Sequence, residues 1–207
     1  MMNRKLSVPS ILLGVTLLAG CGADAPLTHE EEGLVGEPLE ETLNGGELQA
    51  QAINAAAYCD DVTTWDPAWE NFENQVLTLV NQRRAAGATC GGVVKPKVGP
   101  LTLDTRLRCA ARKHSKDMGT NRYFAHNSLD GTTPWTRITN AGYVWRSAAE
   151  NIAAGQSTPA AVVDGWMKSS GHCNNIMNGN LIHLGVGYAY VAGSPYGHYW
   201  TQDFGRQ

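Results

Sequence analysis

The chain of 207 residues is poor in what most catalytic signatures need. It has no Cys-x-x-Cys pair and no His-Glu-x-x-His, so the compact zinc signatures are absent. It has no Gly-x-Ser-x-Gly elbow and no Gly-x-x-x-x-Gly-Lys loop, which removes the usual marks of a serine hydrolase and of a nucleotide phosphate cradle. No run of Lys and Arg occurs, which argues against nucleic acid as a partner. One long stretch lacks more. Residues 22–57 contain no Lys, no Arg and no aromatic residue, while carrying Asp24, Glu30, Glu31, Glu32, Glu37, Glu40, Glu41 and Glu47. Such a segment has little with which to bury itself and reads as a disordered acidic tether.

What is present divides the chain into three parts. Arg4 and Lys5 precede an apolar run from Leu6 to Leu18, too short for a comfortable membrane span. Leu18-Ala19-Gly20-Cys21 follows. A basic start, a short apolar stretch and small residues before a cleavage point make residues 1–20 a secretory signal. Leu-Ala-Gly-Cys also resembles the bacterial lipobox, which makes Cys21 the expected lipidation site. The expected protein is therefore exported and lipid-anchored to the bacterial cell envelope, with a secreted form as the alternative. Residues 21–57 then carry the lipidated Cys and the tether, and residues 58–207 the folded domain. That domain holds fourteen basic and eleven acidic residues.

Four Cys remain beyond Cys21, namely Cys59, Cys90, Cys109 and Cys173. An even number in an exported chain favours two disulfides, and three connectivities are open. Asp66-Pro67 opens a helix that should end near Gly87. Asp104 caps a second, with Leu107, Ala110, Ala111, His114 and Met118 on one face. Residues 134–141 read as a short third helix, and Thr158-Pro159 opens a fourth. Alternation over 184–191 and 198–204, around Ser194-Pro195-Tyr196-Gly197, predicts an antiparallel hairpin. Helices first and a hairpin last indicate an α+β domain.

Three phrases carry the chemistry. They are Phe124-Ala125-His126-Asn127-Ser128, Ala149-Glu150-Asn151-Ile152-Ala153 and Ser170-Gly171-His172-Cys173-Asn174-Asn175. Each sets one titratable residue among small or apolar neighbours. His126, Glu150 and His172 suit general acid–base work, and the two imidazoles suit a zinc or other divalent ion. Bland roles stand beside these: a loop histidine, a structural ion pair, a helix cap. His114 lies on the apolar helix stripe and reads as a hydrogen-bonded core residue.

From about Trp69 to Phe204 the chain resembles the bacterial branch of the CAP superfamily, also called SCP-like. The resemblance rests on Leu79-Val80-Asn81-Gln82-Arg83-Arg84, the helix around His114, Tyr123-Phe124-Ala125-His126, Ala149-Glu150-Asn151-Ile152-Ala153, Trp166-Met167-Lys168-Ser169-Ser170-Gly171-His172, Leu184-Gly185-Val186-Gly187-Tyr188 and Tyr199-Trp200-Thr201-Gln202-Asp203-Phe204, in family order. It implies a three-layer α-β-α sandwich of the CAP type with a small, largely antiparallel central sheet. It implies a cleft lined by His126, Glu150 and His172. The fuller family site has a second Glu three residues after the Trp that is Trp166 here, where this chain has Ser169, so the site is a triad and its affinity for a metal is in doubt. It also implies the pairing Cys90–Cys173, leaving Cys59–Cys109. The resemblance does not fix the function; the tether, the paired cysteines and the missing nucleophile lead to the expectation of a cell-envelope ligand-binding or interaction module whose ligand is a lipid, a peptide or a cell-wall fragment. The alternative is a metal-assisted hydrolase using His126, Glu150 and His172. The one candidate cofactor is zinc or another divalent metal.

Overall fold

A computed structural model gives the placement of residues 29–30, 33–36 and 45–207, so the signal segment and Cys21 lie outside the described residues. In chain order the elements are β1 (His29–Glu30), β2 (Leu34–Gly36), α1 (Gly45–Thr63), α2 (Pro67–Ala86), β3 (Ala88–Cys90), β4 (Val93–Lys95), β5 (Thr102–Leu103) and α3 (Thr105–Asn121). They continue with α4 (Pro134–Asn140), β6 (Ser147–Ala154), α5 (Pro159–Lys168), α6 (Ser170–Ile176), β7 (His183–Tyr190) and β8 (His198–Arg206).

Local chemistry sets most helix starts. The Asp66 carboxylate accepts the Ala68 N–H at 2.7 Å, and Pro67 occupies a first-turn position whose N–H would lack a helical partner. Asp104 accepts the N–H groups of Arg106 and Leu107 in the same way. Thr133 and Thr158 cap α4 and α5. Ser169 ends α5 and caps α6, its hydroxyl accepting the His172 N–H at 3.4 Å.

The main sheet runs in the order β1-β6-β8-β7-β5, with β2 also on β6. All its pairings are antiparallel except β5 on β7. The expected hairpin is β7–β8, in register from Tyr190↔His198 to His183↔Gly205. Helices cover both faces, giving the α+β sandwich. Val76, Val80, Val162, Val163 and Trp166 from α2 and α5 pack on Ala149, Ala153, Leu184 and Phe204. Leu107, Ala110 and Ile138 from α3 and α4 pack with Ala148 on the other side. Gly185 and Gly187 permit this second contact, because a Cβ at either would overlap the α3 backbone at Leu107–Arg108 or at Ala111.

Two disulfides each tie elements within one layer, and they are the pairs that the resemblance implied. Cys59–Cys109 links α1 to α3 with Cα atoms 5.8 Å apart. Cys90–Cys173 links the β3–β4 hairpin to α6 with Cα atoms 5.4 Å apart. Order also begins upstream of Tyr58. Helix α1 starts at Gly45, and β1 and β2 pair with β6 from within the stretch expected to be a disordered tether. The tether reading weighed side-chain burial alone, whereas a sheet edge orders a strand through backbone hydrogen bonds.

Candidate functional site

Strand β6 is the organising element. Apart from Ser147 its residues are all buried, and four of the eight are alanine. Because both faces are covered, it shows no alternation of apolar and polar residues and has no period by which a strand is recognised. Glu150 sits at its centre, pointing toward α3 and α4.

Its carboxylate is held from two directions. Oε1 lies 2.7 Å from His126 Nδ1, and Oε2 accepts from Arg137 Nη2 at 2.8 Å. The same Nη2 donates to the His126 carbonyl at 2.8 Å, and Nη1 donates to the Thr132 carbonyl at 3.2 Å. Arg137 therefore stitches the loop after α3 onto β6 and fixes the backbone that carries His126. His114 braces the loop from beneath, with Nε2 3.0 Å from the Ala125 carbonyl. Burial pushes the His114 pKa down to about 3, so the neutral ring donates Nε2–H to that carbonyl. This is the hydrogen-bonded core histidine that the helix stripe predicted.

A second carboxylate faces the first. Asp203 of β8 is the cross-strand partner of Glu150, and both are fully buried. No donor among the described residues reaches either Asp203 oxygen. Burial, and then the Glu150 charge, raise the Asp203 pKa well above the usual carboxylate range. Burial opposes the Glu150 charge too, but Arg137 leads the groups that outweigh it and hold Glu150 down to about 2. Two carboxylates set against one guanidinium favour one shared proton, and these environments put it on Asp203.

His172 approaches from the other face of the sheet. It opens α6, its carbonyl accepts from Asn151 Nδ2 at 3.3 Å, and its ring is buried. Burial, and then the neighbouring His126, push its pKa down to about 4, leaving the ring neutral at pH 7. Thus His126 and Glu150 meet directly, while His172 joins them through electrostatics and Asn151. The sequence offered no local sign of Arg137, Asp203 or Asn175. Their roles follow from α4 docking, strand pairing and the position of α6.

The donor set bears on metal binding. Both Glu150 oxygens are engaged, and the hydroxyl of Ser169, where the fuller family site has its second Glu, caps α6. Among the described residues no three His, Cys, Asp or Glu side chains converge as they would around a metal ion. The arrangement does not fit the divalent ion that the resemblance allows. A cavity of about 690 Å³ lies beside the cluster, with His114, Lys113, Asp117 and Arg137 in its wall.

Residues 77–204 match the CAP family, described as the cysteine-rich secretory protein family. The chain belongs to this family. His126, Glu150, His172, Arg137 and Asp203 all lie within the matched residues. Among relatives, it is 38% identical to the uncharacterized Bacillus subtilis protein YkwD over 156 residues, which are 75% of this chain and 55% of YkwD. It is 31% identical to YlbC, an uncharacterized membrane protein of the same bacterium, over 79% of this chain and 41% of that one. It thus spans about half the length of these relatives. An extracellular SCP-domain protein of Bacillus anthracis shares the fold at a TM-score of 0.56 and 29% identity, over 70% of this chain and 45% of that one. An outer surface protein of Borrelia burgdorferi matches at a TM-score of 0.52 and 21% identity, over 64% of this chain and 93% of that one. Among the described residues no helix is long and apolar enough to cross a membrane.

Proposed function

We propose that this chain is an exported CAP-domain protein, held at the cell envelope by lipid on Cys21, which binds a ligand at the His126–Glu150–His172 cleft. The observation that carries the binding role is the pairing of Glu150. Its two oxygens are engaged by His126 and Arg137, so the carboxylate positions an imidazole and a loop, and a carboxyl held down to about 2 is a weak base toward water at pH 7. Export is supported by the two disulfides, which persist in oxidising compartments, and by extracellular and outer-surface structural relatives. Replacing Cys21 with Ser should move the protein from the membrane fraction to the soluble fraction. Retention of that variant in the membrane fraction would contradict the anchor.

One observation favours a hydrolytic reading as the second choice. A carboxylate 2.7 Å from an imidazole nitrogen is how a general base is oriented, with water as the attacking group. The double variant His126→Ala/His172→Ala separates the readings. Under hydrolysis it abolishes turnover, and under binding it weakens ligand capture and leaves envelope association intact. Metal analysis of the purified protein adds an independent check, since stoichiometric zinc lost on replacing His126 would reinstate the metal-assisted reaction.

A further inference from the structure

The outer edge of β6 carries an occupant from the chain itself. His29 and Glu30 lie opposite Ala154 and Ala153, and Leu34, Val35 and Gly36 lie opposite Glu150, Ala149 and Ala148. The register slips by one residue between the two segments, which divides the added strand in two. The second segment crosses the candidate site. Leu34 faces Glu150, whose carboxylate holds His126. The Leu34 carbonyl lies 3.4 Å from Asn175 Nδ2, which also donates to Asn151 Oδ1 at 2.9 Å. Asn151 in turn donates to the His172 carbonyl. Residues 33–36 are therefore bracketed by the Glu150 group on one side and by α6 on the other.

The fit selects small residues at two points. A Cβ on Gly33 would come within 2.6 Å of Asn151 Oδ1 and would overlap the Asn175 amide. A Cβ on Gly36 would come within 2.8 Å of the Trp135 ring. Between them Leu34 and Val35 stay 37% and 60% exposed, so apolar burial does little to hold the strand. Main-chain pairing supplies the attachment, and close walls supply the selection. Strand addition to a sheet edge recognises peptides in this way.

We infer that the edge of β6 is a groove for an extended peptide with small residues three apart, Gly-x-x-Gly, and that residues 29–30 and 33–36 are its displaceable resident. The inference rests on the cleft being a ligand site, and it names the ligand class. The resident masks the groove, because a tethered strand competes at an effective concentration on the order of mM.

The test uses the full chain and a fluorescent synthetic peptide with the sequence of residues 29–38. In Gly33→Val the resident should leave. The β6 amides that face the resident then lose hydrogen-exchange protection while those that face β8 keep theirs, and peptide affinity rises roughly tenfold or more as the competitor is removed. Gly36→Val, which acts through Trp135, should do the same and guards against a fault peculiar to one variant. A peptide with Val in place of its first Gly should bind about tenfold more weakly or worse. The groove is refuted by unprotected edge-facing β6 amides without peptide binding, by binding indifferent to the Gly replacement, or by edge-facing β6 amides that stay protected in both variants. Adding His126→Ala to Gly33→Val keeps the two ideas apart. Unchanged peptide binding there would retain the groove and remove the cleft from the proposed function.

Discussion

The two edges of the β6-β8-β7 core are closed by different means. At the β7 edge the Tyr188 N–H donates to Glu73 Oε1 at 3.2 Å, and Glu73 is fully buried. Arg112 donates to Glu73 through Nε and Nη2, the latter at 2.7 Å, and Arg108 lies 3.6 Å away. Glu70, on the same helix, pairs with both arginines. Two carboxylates thus meet two guanidiniums; burial raises the Glu73 pKa, and Arg112 and then Arg108 oppose that rise. At the β6 edge two carboxylates meet one guanidinium and an imidazole, and the closing strand is the chain's own N-terminal segment. Both clusters are buried and charged. They differ in proton balance, so burial and charge alone do not mark a functional site.

The largest expected effect lies at the β7 edge. Glu73→Ala removes the buried acceptor of the Tyr188 N–H and leaves two buried guanidiniums with only the half-exposed Glu70 as a charged partner, and should lower unfolding stability by about 3–5 kcal/mol in urea titrations. A loss below about 1 kcal/mol would break the comparison, because the cluster would then not be holding the edge. Arg137→Met should cost about 3 kcal/mol at neutral pH by stranding the Glu150 charge. Its deficit should shrink on acidification, since the unpaired Glu150 then has a folded pKa above its unfolded value and is relieved by protonation. The Glu73→Ala deficit has no such relief, as its stranded groups are arginines.

Histidine titration gives a smaller effect. His114 and His172 have folded pKa values of about 3 and about 4, below the unfolded value of about 6.5. Between these values the unfolded chain binds more protons, so each histidine lowers stability as pH falls from about 6.5, by up to about 1.4 kcal/mol per pH unit. Asp203, raised in the fold, acts in the opposite sense and offsets part of this slope. His172→Gln should therefore flatten the dependence between about pH 6 and pH 4, measured by denaturation across that range. The smallest effect is expected for Asp203→Asn. An amide can donate to Glu150 as the protonated acid does, so the change should stay within about 1 kcal/mol. The analogous Glu73→Gln should cost several times more.

The helix starts were legible because they are local. Asp66-Pro67, Asp104 and Thr158-Pro159 each act on backbone groups within a few residues. The β7–β8 hairpin was legible from alternation around a turn. Strand β6 was not, since an alanine-rich run covered on both faces has no period. Of the site, His126, Glu150 and His172 stood out as titratable residues in apolar settings. Arg137, Asp203 and Asn175 reach it only through long-range docking, which no window of sequence displays. The pairing of residues 29–30 and 34–36 was hidden for another reason: it depends on main-chain hydrogen bonds and on the absence of side chains at Gly33 and Gly36, not on hydrophobicity.

The central claim is that the β6 edge holds a carboxyl pair with one proton, where the β7 edge holds fully paired charges. Carboxyl ¹³C NMR of Asp203 and Glu150 through a pH titration tests it most directly. The account predicts that Asp203 stays protonated well above the usual carboxylate range while Glu150 remains ionised. An Asp203 that titrates near its ordinary value of about 3.9 would contradict it.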